Sequence, residues 1–294
     1  MMGTPVGFFS EPPSVVIAPI PPKDDDIWMA YEEFEIRGEL NVPIDIIKSH
    51  VSTGLTYGFH DVVPHPTNDV EVMLVGGGPS LAEHIGTIKR LRQEGVKLIT
   101  MNNAYRYCID HGLIPSALVM VDSRDFNARF VEPIIPTCKY FIASQCHPSV
   151  FEKVPKEQTY IWHTSAEEIQ DVLKDHYKDK QWYHVPGGST VLLRAIPLFR
   201  MLGFKRFHLF GCDSCLDIAG SHHAYEQKEN DEQAVIPVRV GGRIFYCNPW
   251  MVSQAREFID LIGCMGDVME LNIHGGLLRQ ILESGAERAA LEEM

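Results

Sequence analysis

The chain has 294 residues; 45% are hydrophobic, and 39 acidic residues against 26 basic ones leave a formal net charge of -13. That length suffices for one large α/β domain or two small ones. The acidity, with no block of basic residues, argues against a nucleic-acid partner held by counterion release, and it would repel an anionic membrane surface. The apolar runs are of strand length, far below the ~20 residues of a membrane helix. The first residues, MMGTPVGFFSEPPSVVIAPIPP, contain no basic region leading into a clean apolar stretch, so no secretory signal is expected. Seven scattered cysteines, an odd number, read as reduced thiols of a cytoplasmic protein.

Residues 1–26 are Pro-rich and end in Lys23-Asp24-Asp25-Asp26, which predicts an extended or disordered arm. Residues 27–65 carry aromatics and short apolar groups and are expected to form a small helical lead-in; with the arm they make a first unit, 1–65, before the main domain, 66–294. From Glu71 the pattern becomes regular. Strands are predicted at Val72–Val75, Lys97–Met101, Ala117–Val121, Tyr140–Ala143, Tyr160–Trp162 and Arg206–Phe210. Helices are predicted from Leu81 to Gly95, Ala104 to His111, Glu167 to Tyr177 and Thr190 to Leu202, with Pro197 as a possible kink. Strands alternating with helices predict an α/β fold: a Rossmann-like parallel sheet with helices on both faces. Later, Ile236–Val240 and Arg243–Tyr246 flank Gly241-Gly242 and read as a β-hairpin, with Pro237 placing the first strand at an edge. Asn248-Pro249 starts another helix, and Leu277–Met294 is the last.

Ligands of such sheets sit at the carboxyl ends of the strands. A glycine loop, VMLVGGGPSLAEHI (72–85), lies at the first of these ends. It is neither G-x-G-x-x-G, because Leu81 replaces the third glycine, nor a P-loop, because no Lys follows. Its generic physics still suits a phosphate: Gly76, Gly77, Gly78 and Pro79 let backbone approach a ligand, and Ser80 with Glu83 forms a capping box at a helix start. An ordinary tight turn into a helix would read the same way. A second glycine pair, Gly187-Gly188, leads through Ser189 and Thr190 into a helix and could grip another part of one ligand. Asn102, Asn103, Asp122 and Asp213 also fall at predicted strand ends. Asp122 and Asp213 are candidates to hold Mg²⁺ on phosphates or to position an acceptor hydroxyl. His222 or His223 is a candidate general base. Cys212-x-x-Cys215 with the adjacent histidines lacks the spacing of a zinc site.

These pieces occur in an order that resembles the 6-hydroxymethylpterin diphosphokinase MptE-like family, which includes motility accessory factors and stand-alone bacteriophage copies. Gly76–Leu81 resembles its G-x-GPSL loop, which is also similar to the nucleotide-sugar loop of family-42 bacterial sialyltransferases. Asn102-Asn103-Ala104, HGLIPSALVMVD (111–122, with Ser116 for the usual Asp), GGSTVLLRAIPLFRMLGFKRFHLFGCD (187–213) and GSHHA (220–224) continue the match over roughly 70–280. The resemblance implies a Rossmann-like domain with a nucleotide donor in the glycine loop. It also implies either diphosphate transfer from ATP to a hydroxymethyl pterin or sugar transfer from a CMP-sugar. For this chain the expectation is a transferase with Asp122, Asp213 and His223 at the chemistry, in the cytoplasm of a bacterial or phage-infected cell. The alternative is a non-catalytic phage-type protein that keeps the fold and binds a phage protein or a second copy of itself.

Overall fold

The computed structural model describes residues 27–29, 42–227, 234–265 and 268–292. The expected arm, 1–26, lies outside them, as does the tip of the acidic tail. In chain order the elements are β1 (Ile27–Met29), α1 (Ile44–Thr56), β2 (His60–Asp61), β3 (Glu71–Val75), α2 (Leu81–Gln93), β4 (Lys97–Met101), α3 (Ala104–Asp110), β5 (Ala117–Met120), β6 (Lys139–Ala143), α4 (Pro148–Phe151), β7 (Thr159–Thr164), α5 (Gln170–Tyr177), β8 (His184–Val185), α6 (Val191–Met201), β9 (Arg206–Phe210), β10 (Ile236–Val240), β11 (Arg243–Cys247), α7 (Pro249–Met265), β12 (Glu270–His274) and α8 (Gly276–Glu292).

Nine strands form one sheet in the order β12-β9-β3-β4-β5-β6-β7-β2, with β8 also on β7, and every pairing is parallel. Alternate residues of β3 enter different cores. Val72 and Leu74 pack with α6, α7 and α8, whereas Met73 and Val75 pack with Leu81, Ile88 and Leu91 of α2 and with Ala104 and Cys108 of α3. Burial on both faces is what makes these strands continuous apolar runs rather than alternating ones. Each such aliphatic side chain contributes roughly 1.5–3 kcal/mol by leaving water.

From β3 the chain steps outward through β4, β5, β6 and β7, then returns to place β9 on the other side of β3. The strand order reverses there, and a crevice opens at the carboxyl ends of β3 and β9.

The lead-in is built into the same sheet. β2 pairs with the start of β7, and Ile47, Val51 and Leu55 of α1 pack on Ile161, Leu173 and Tyr177. The hairpin forms with Gly241 and Gly242 both at positive φ, 53° and 72°, the backbone of a type I′ turn. Pro237 is not on an edge strand, contrary to the sequence expectation: β10 lies between β1 and β11. Pro237 is tolerated because β1 pairs only with Val238–Val240, one residue short of the proline's missing N–H. The strands β1, β2, β8 and β12 escaped the sequence reading; β1 falls in the stretch expected to be a helical lead-in.

A buried polar chain ties the far edge together. His163 Nδ1 is 2.9 Å from Ser144 Oγ, its Nε2 is 2.9 Å from the Tyr177 hydroxyl, and that hydroxyl donates to Asp61. Burial, with smaller contributions from His176 and His184, holds His163 down at about 4. The unfolded imidazole titrates near 6.5, so on acidification the unfolded chain takes the proton first. Stability from this group is therefore complete above about 6.5 and lost as the pH falls towards 4. Comparing urea unfolding of the native chain and His163→Gln should show the native advantage shrinking by up to about 3 kcal/mol between pH 7 and pH 4. An advantage constant over that range would mean that His163 is not held neutral.

Candidate functional site

The loops after β3 and β9 meet backbone to backbone. The Gly76 N–H donates to Phe210 O at 2.8 Å and the Gly78 N–H to Gly211 O at 2.9 Å; neither bond uses the Gly77 amide. A Cβ on Gly76 would stand 2.6 Å from Gly211 O, so the contact requires glycine. Over the loop lies the segment 222–225: the Ala224 N–H donates to Gly77 O at 3.0 Å, and His223 and Tyr225 face the bare Cα of Gly77.

Beneath that segment is a cleft with a cavity volume of about 180 Å³. Of the residues singled out by sequence, Gly76, Gly77, Gly78, Pro79, Asn102, Asp122, Thr190, Asp213, His222 and His223 line it. Asn103, Gly187, Gly188 and Ser189 do not, and Ser80 faces a different cleft behind Asp213.

The helix starts behave differently from the sequence expectation. Ser80 and Glu83 form no capping box; the Ser80 side chain makes no cap bond and its hydroxyl donates to His274 O at 3.3 Å. The Ser80 N–H instead donates to Asp213 Oδ2 at 2.9 Å, and the Leu277 N–H donates to Asp213 O at 2.8 Å. One residue therefore caps the starts of α2 and α8. At α6, Thr190 is the N-cap, accepting from the Leu193 N–H at 3.2 Å. The neighbouring Ser189 N–H and hydroxyl both donate to Glu257 Oε2 at 2.8 Å. Asp213 thus takes the N-cap N–H of α2, whereas Glu257 holds only the turn before α6, and Thr190–Leu193 at the start of α6 line the cleft.

Asp213 is 3% exposed. Burial raises its carboxyl to about 6, against hydrogen bonding from Ser80, which lowers it, while the Glu83 charge adds a further rise. Asp122 is held by Arg124: its Oδ1 accepts from the Arg124 backbone N–H at 2.9 Å and from Nε at 3.0 Å, and Oδ2 accepts from Nε at 3.0 Å and from Nη2. Arg124 also lies 4.7 Å above the Phe126 ring. Of the two aspartates expected to hold Mg²⁺, Asp122 is thus committed to Arg124 through both oxygens, and Asp213 to Ser80 through Oδ2. Among the described residues no group of three His, Cys, Asp or Glu side chains has metal-binding geometry. This donor set does not fit an ion held jointly by Asp122 and Asp213.

Other groups in the cleft lack partners. Asn102 Oδ1, Asp213 Oδ1 and Trp250 Nε1 are buried without a hydrogen bond among the described residues. Asn102 adopts φ 46° at the end of β4, a left-handed conformation that costs energy for a residue with a side chain. A buried polar atom left unpaired costs about 1–3 kcal/mol, so the acceptor of Asn102 and the donor of Trp250, both lining this cleft, point to a ligand. Trp250 and Tyr225 carried no motif that ranked them; only the fold brings them, beside Arg124, to this cleft.

Residues 49–218 match the family described as 6-hydroxymethylpterin diphosphokinase MptE-like, more than half of the chain. The chain belongs to that family. The match begins inside α1, so part of the lead-in is family sequence. No curated protein matches the sequence. Among solved structures, the MAf glycosyltransferase from Magnetospirillum magneticum AMB-1 is similar with a TM-score of 0.61 at 16% identity, over 80% of this chain and 37% of that one. A mammalian sialyltransferase aligns with a TM-score of 0.40 at 12% identity, over 84% of this chain and 83% of that one. At these identities the first likeness establishes the fold, and this family member spans little more than a third of the MAf protein. No helix among the described residues is long and apolar enough to cross a membrane.

The raised Asp213 carboxyl has a testable sign. Its folded value lies above the unfolded one, 3.8, so the folded chain binds more protons between about 4 and 6 and stability falls as pH rises through that window. Asp213→Asn keeps an acceptor for the Ser80 N–H and removes the titration. Its unfolding free energy in urea should gain on the native chain by up to about 3 kcal/mol between pH 4 and pH 7. A pH-independent difference would show that Asp213 titrates normally.

Proposed function

We propose that this chain is a transferase whose nucleotide-activated donor binds in the cleft at the sheet's reversal point and passes its electrophilic group to an acceptor hydroxyl. The observation that carries this reading is the pair of buried, unpaired polar atoms on Asn102 and Trp250, brought together where a doubly wound sheet places its ligands.

The enclosed volume of about 180 Å³ is too small for a whole nucleotide, whose sites usually run to several hundred Å³. The phosphate-bearing part lies inside and the remainder extends into the mouth. Asp213 takes the Ser80 N–H at the start of α2, so the donor phosphates are met by the Gly76–Pro79 backbone, by the start of α6 at Thr190–Leu193 and by Arg124. Asp122 takes the Nε and Nη2 side of that guanidinium and orients it towards the ligand. Asn102 accepts a hydrogen bond from a sugar hydroxyl or a base amino group, and Trp250 donates one. His223 takes the proton of the acceptor oxygen as that oxygen bonds to the transferred group and the nucleotide phosphate leaves with the electron pair.

Of the two family chemistries, sugar transfer from a CMP-sugar fits better than diphosphate transfer from ATP. ATP chemistry needs a cation on the phosphates; Asp122 is held by Arg124, and the open oxygen of Asp213 lies on the side of the other cleft. The phage-type binding or assembly reading stands as the competing outcome.

A thermal-shift panel decides between these. CMP should raise the melting temperature with or without Mg²⁺, and ATP should not; stabilisation by ATP only with Mg²⁺ would restore the diphosphokinase reading, and no stabilisation by any nucleotide would favour a non-catalytic role. Asn102→Gly keeps the positive φ without strain and removes the side chain. It should weaken CMP about tenfold or more in calorimetry, at ~1.4 kcal/mol per tenfold, with unfolding little changed. Unchanged affinity would move the donor out of this cleft.

A further inference from the structure

Behind Asp213 lies a second and larger cleft, with a cavity volume of about 860 Å³, between β11 and the starts of α2 and α8. It shares Pro79, Asp213 and Cys215 with the donor cleft, so Asp213 stands in the wall between them. The two carboxylate oxygens face opposite ways. Oδ2 sits on the Gly78 side, bonded to the Ser80 N–H. Oδ1 sits against the Gly275–Gly276 turn, where a Cβ would come within 3.2 Å at Gly275 and 2.6 Å at Gly276. Those glycines, at φ 96° and 74°, line only the second cleft, so the oxygen with no partner belongs to that side.

Two further features describe what the cleft takes. Four carboxylates, of Glu83, Asp213, Asp217 and Glu283, border it against two guanidinium groups, of Arg243 and Arg279. Arg279 is paired with Glu283 at 2.7 Å, and Arg243 donates to Gln280 Oε1 at 3.3 Å. The local field thus repels anions, and neither cation stands idle for one. The rim holds Ile218, Ile244 and Tyr246, all large apolar side chains left exposed. Apolar groups gathered at the mouth of a polar cleft mark a binding site rather than scatter.

We infer that the second cleft binds an uncharged, hydroxyl-rich molecule with an apolar face, of which a hexopyranoside is the simplest form. A ring face packs on Tyr246 and the Ile244 side of the rim, and one hydroxyl donates to Asp213 Oδ1. The chemistry of this cleft does not rest on the donor reading above.

Saturation-transfer NMR on the full chain tests it, with methyl α-D-glucopyranoside and methyl β-D-galactopyranoside as neutral probes, glucose 6-phosphate as the anionic one, and CMP. At least one neutral glycoside should give signal in the native chain, and glucose 6-phosphate about fivefold less. Tyr246→Ala and Ile244→Glu, both at exposed positions, should each reduce the glycoside signal about fivefold or more while leaving CMP unchanged. Asn102→Gly should do the reverse. The inference is overturned by absence of glycoside signal in the native chain, by an equal or stronger signal from glucose 6-phosphate, or by glycoside binding that follows Asn102 rather than Tyr246 and Ile244. If CMP fails to bind while the glycoside behaves as expected, the donor reading falls and the second site stands.

Discussion

The architecture of the site depends on one buried carboxylate. Asp213 follows the last residues of β9, and its side chain and backbone oxygen together hold the starts of two helices that are far apart in sequence, α2 and α8. Burial works against its charge, and the hydrogen bonds from Ser80 work for it; the outcome, near 6, is a compromise in which the protein carries electrostatic cost at the reversal point of its own sheet. The glycines at 76, 78, 211, 275 and 276 follow from this arrangement. Each sits where a Cβ would meet Asp213 or the facing backbone.

The same logic recurs at α6, where Glu257 fills the turn before the helix. Helix starts are the usual means by which α/β proteins hold phosphates. Here Asp213 takes the N-cap N–H of α2 and Glu257 the turn before α6, while the start of α6 lines the cleft together with an oriented arginine, a strained asparagine and a tryptophan N–H. Arg124 shows how such a group is prepared. Asp122 fixes one edge and Phe126 lies under the plane, so the guanidinium keeps little side-chain freedom.

Much of the fold was legible because its signals are local. β4 and β9 could be bounded from the sequence, Val72–Val75 and Tyr140–Ala143 nearly so, because strands buried on both faces are unbroken apolar runs bounded by charge or glycine. β12 was not legible: its sequence, Glu-Leu-Asn-Ile-His, is an edge strand with polar residues at alternate positions, and it forms because β9 offers a parallel partner. Pro237 misled for a related reason, since where β1 stops is a long-range fact. The site divides in the same way. The glycine loop, Asn102, Asp122 and Asp213 could be found because strand ends are predictable. The partners that change their meaning, Arg124 for Asp122, Ser80 for Asp213 and Glu257 for Ser189, are geometric. A capping box read from Ser80 and Glu83 obeys a valid local rule that a carboxylate from residue 213 overrides.

The pairing of Ile27–Met29 with Val238–Val240 carries a consequence for handling the protein. Three residues near one end of the chain close the side of a strand more than two hundred positions away. A shortened version beginning at α1 would leave the N–H and C=O groups of 238–240 as an open strand edge on an apolar strand, the kind of edge that recruits a second chain. Residues 27–29 thus shield that edge, and removing them would turn a paired strand into an adhesive one.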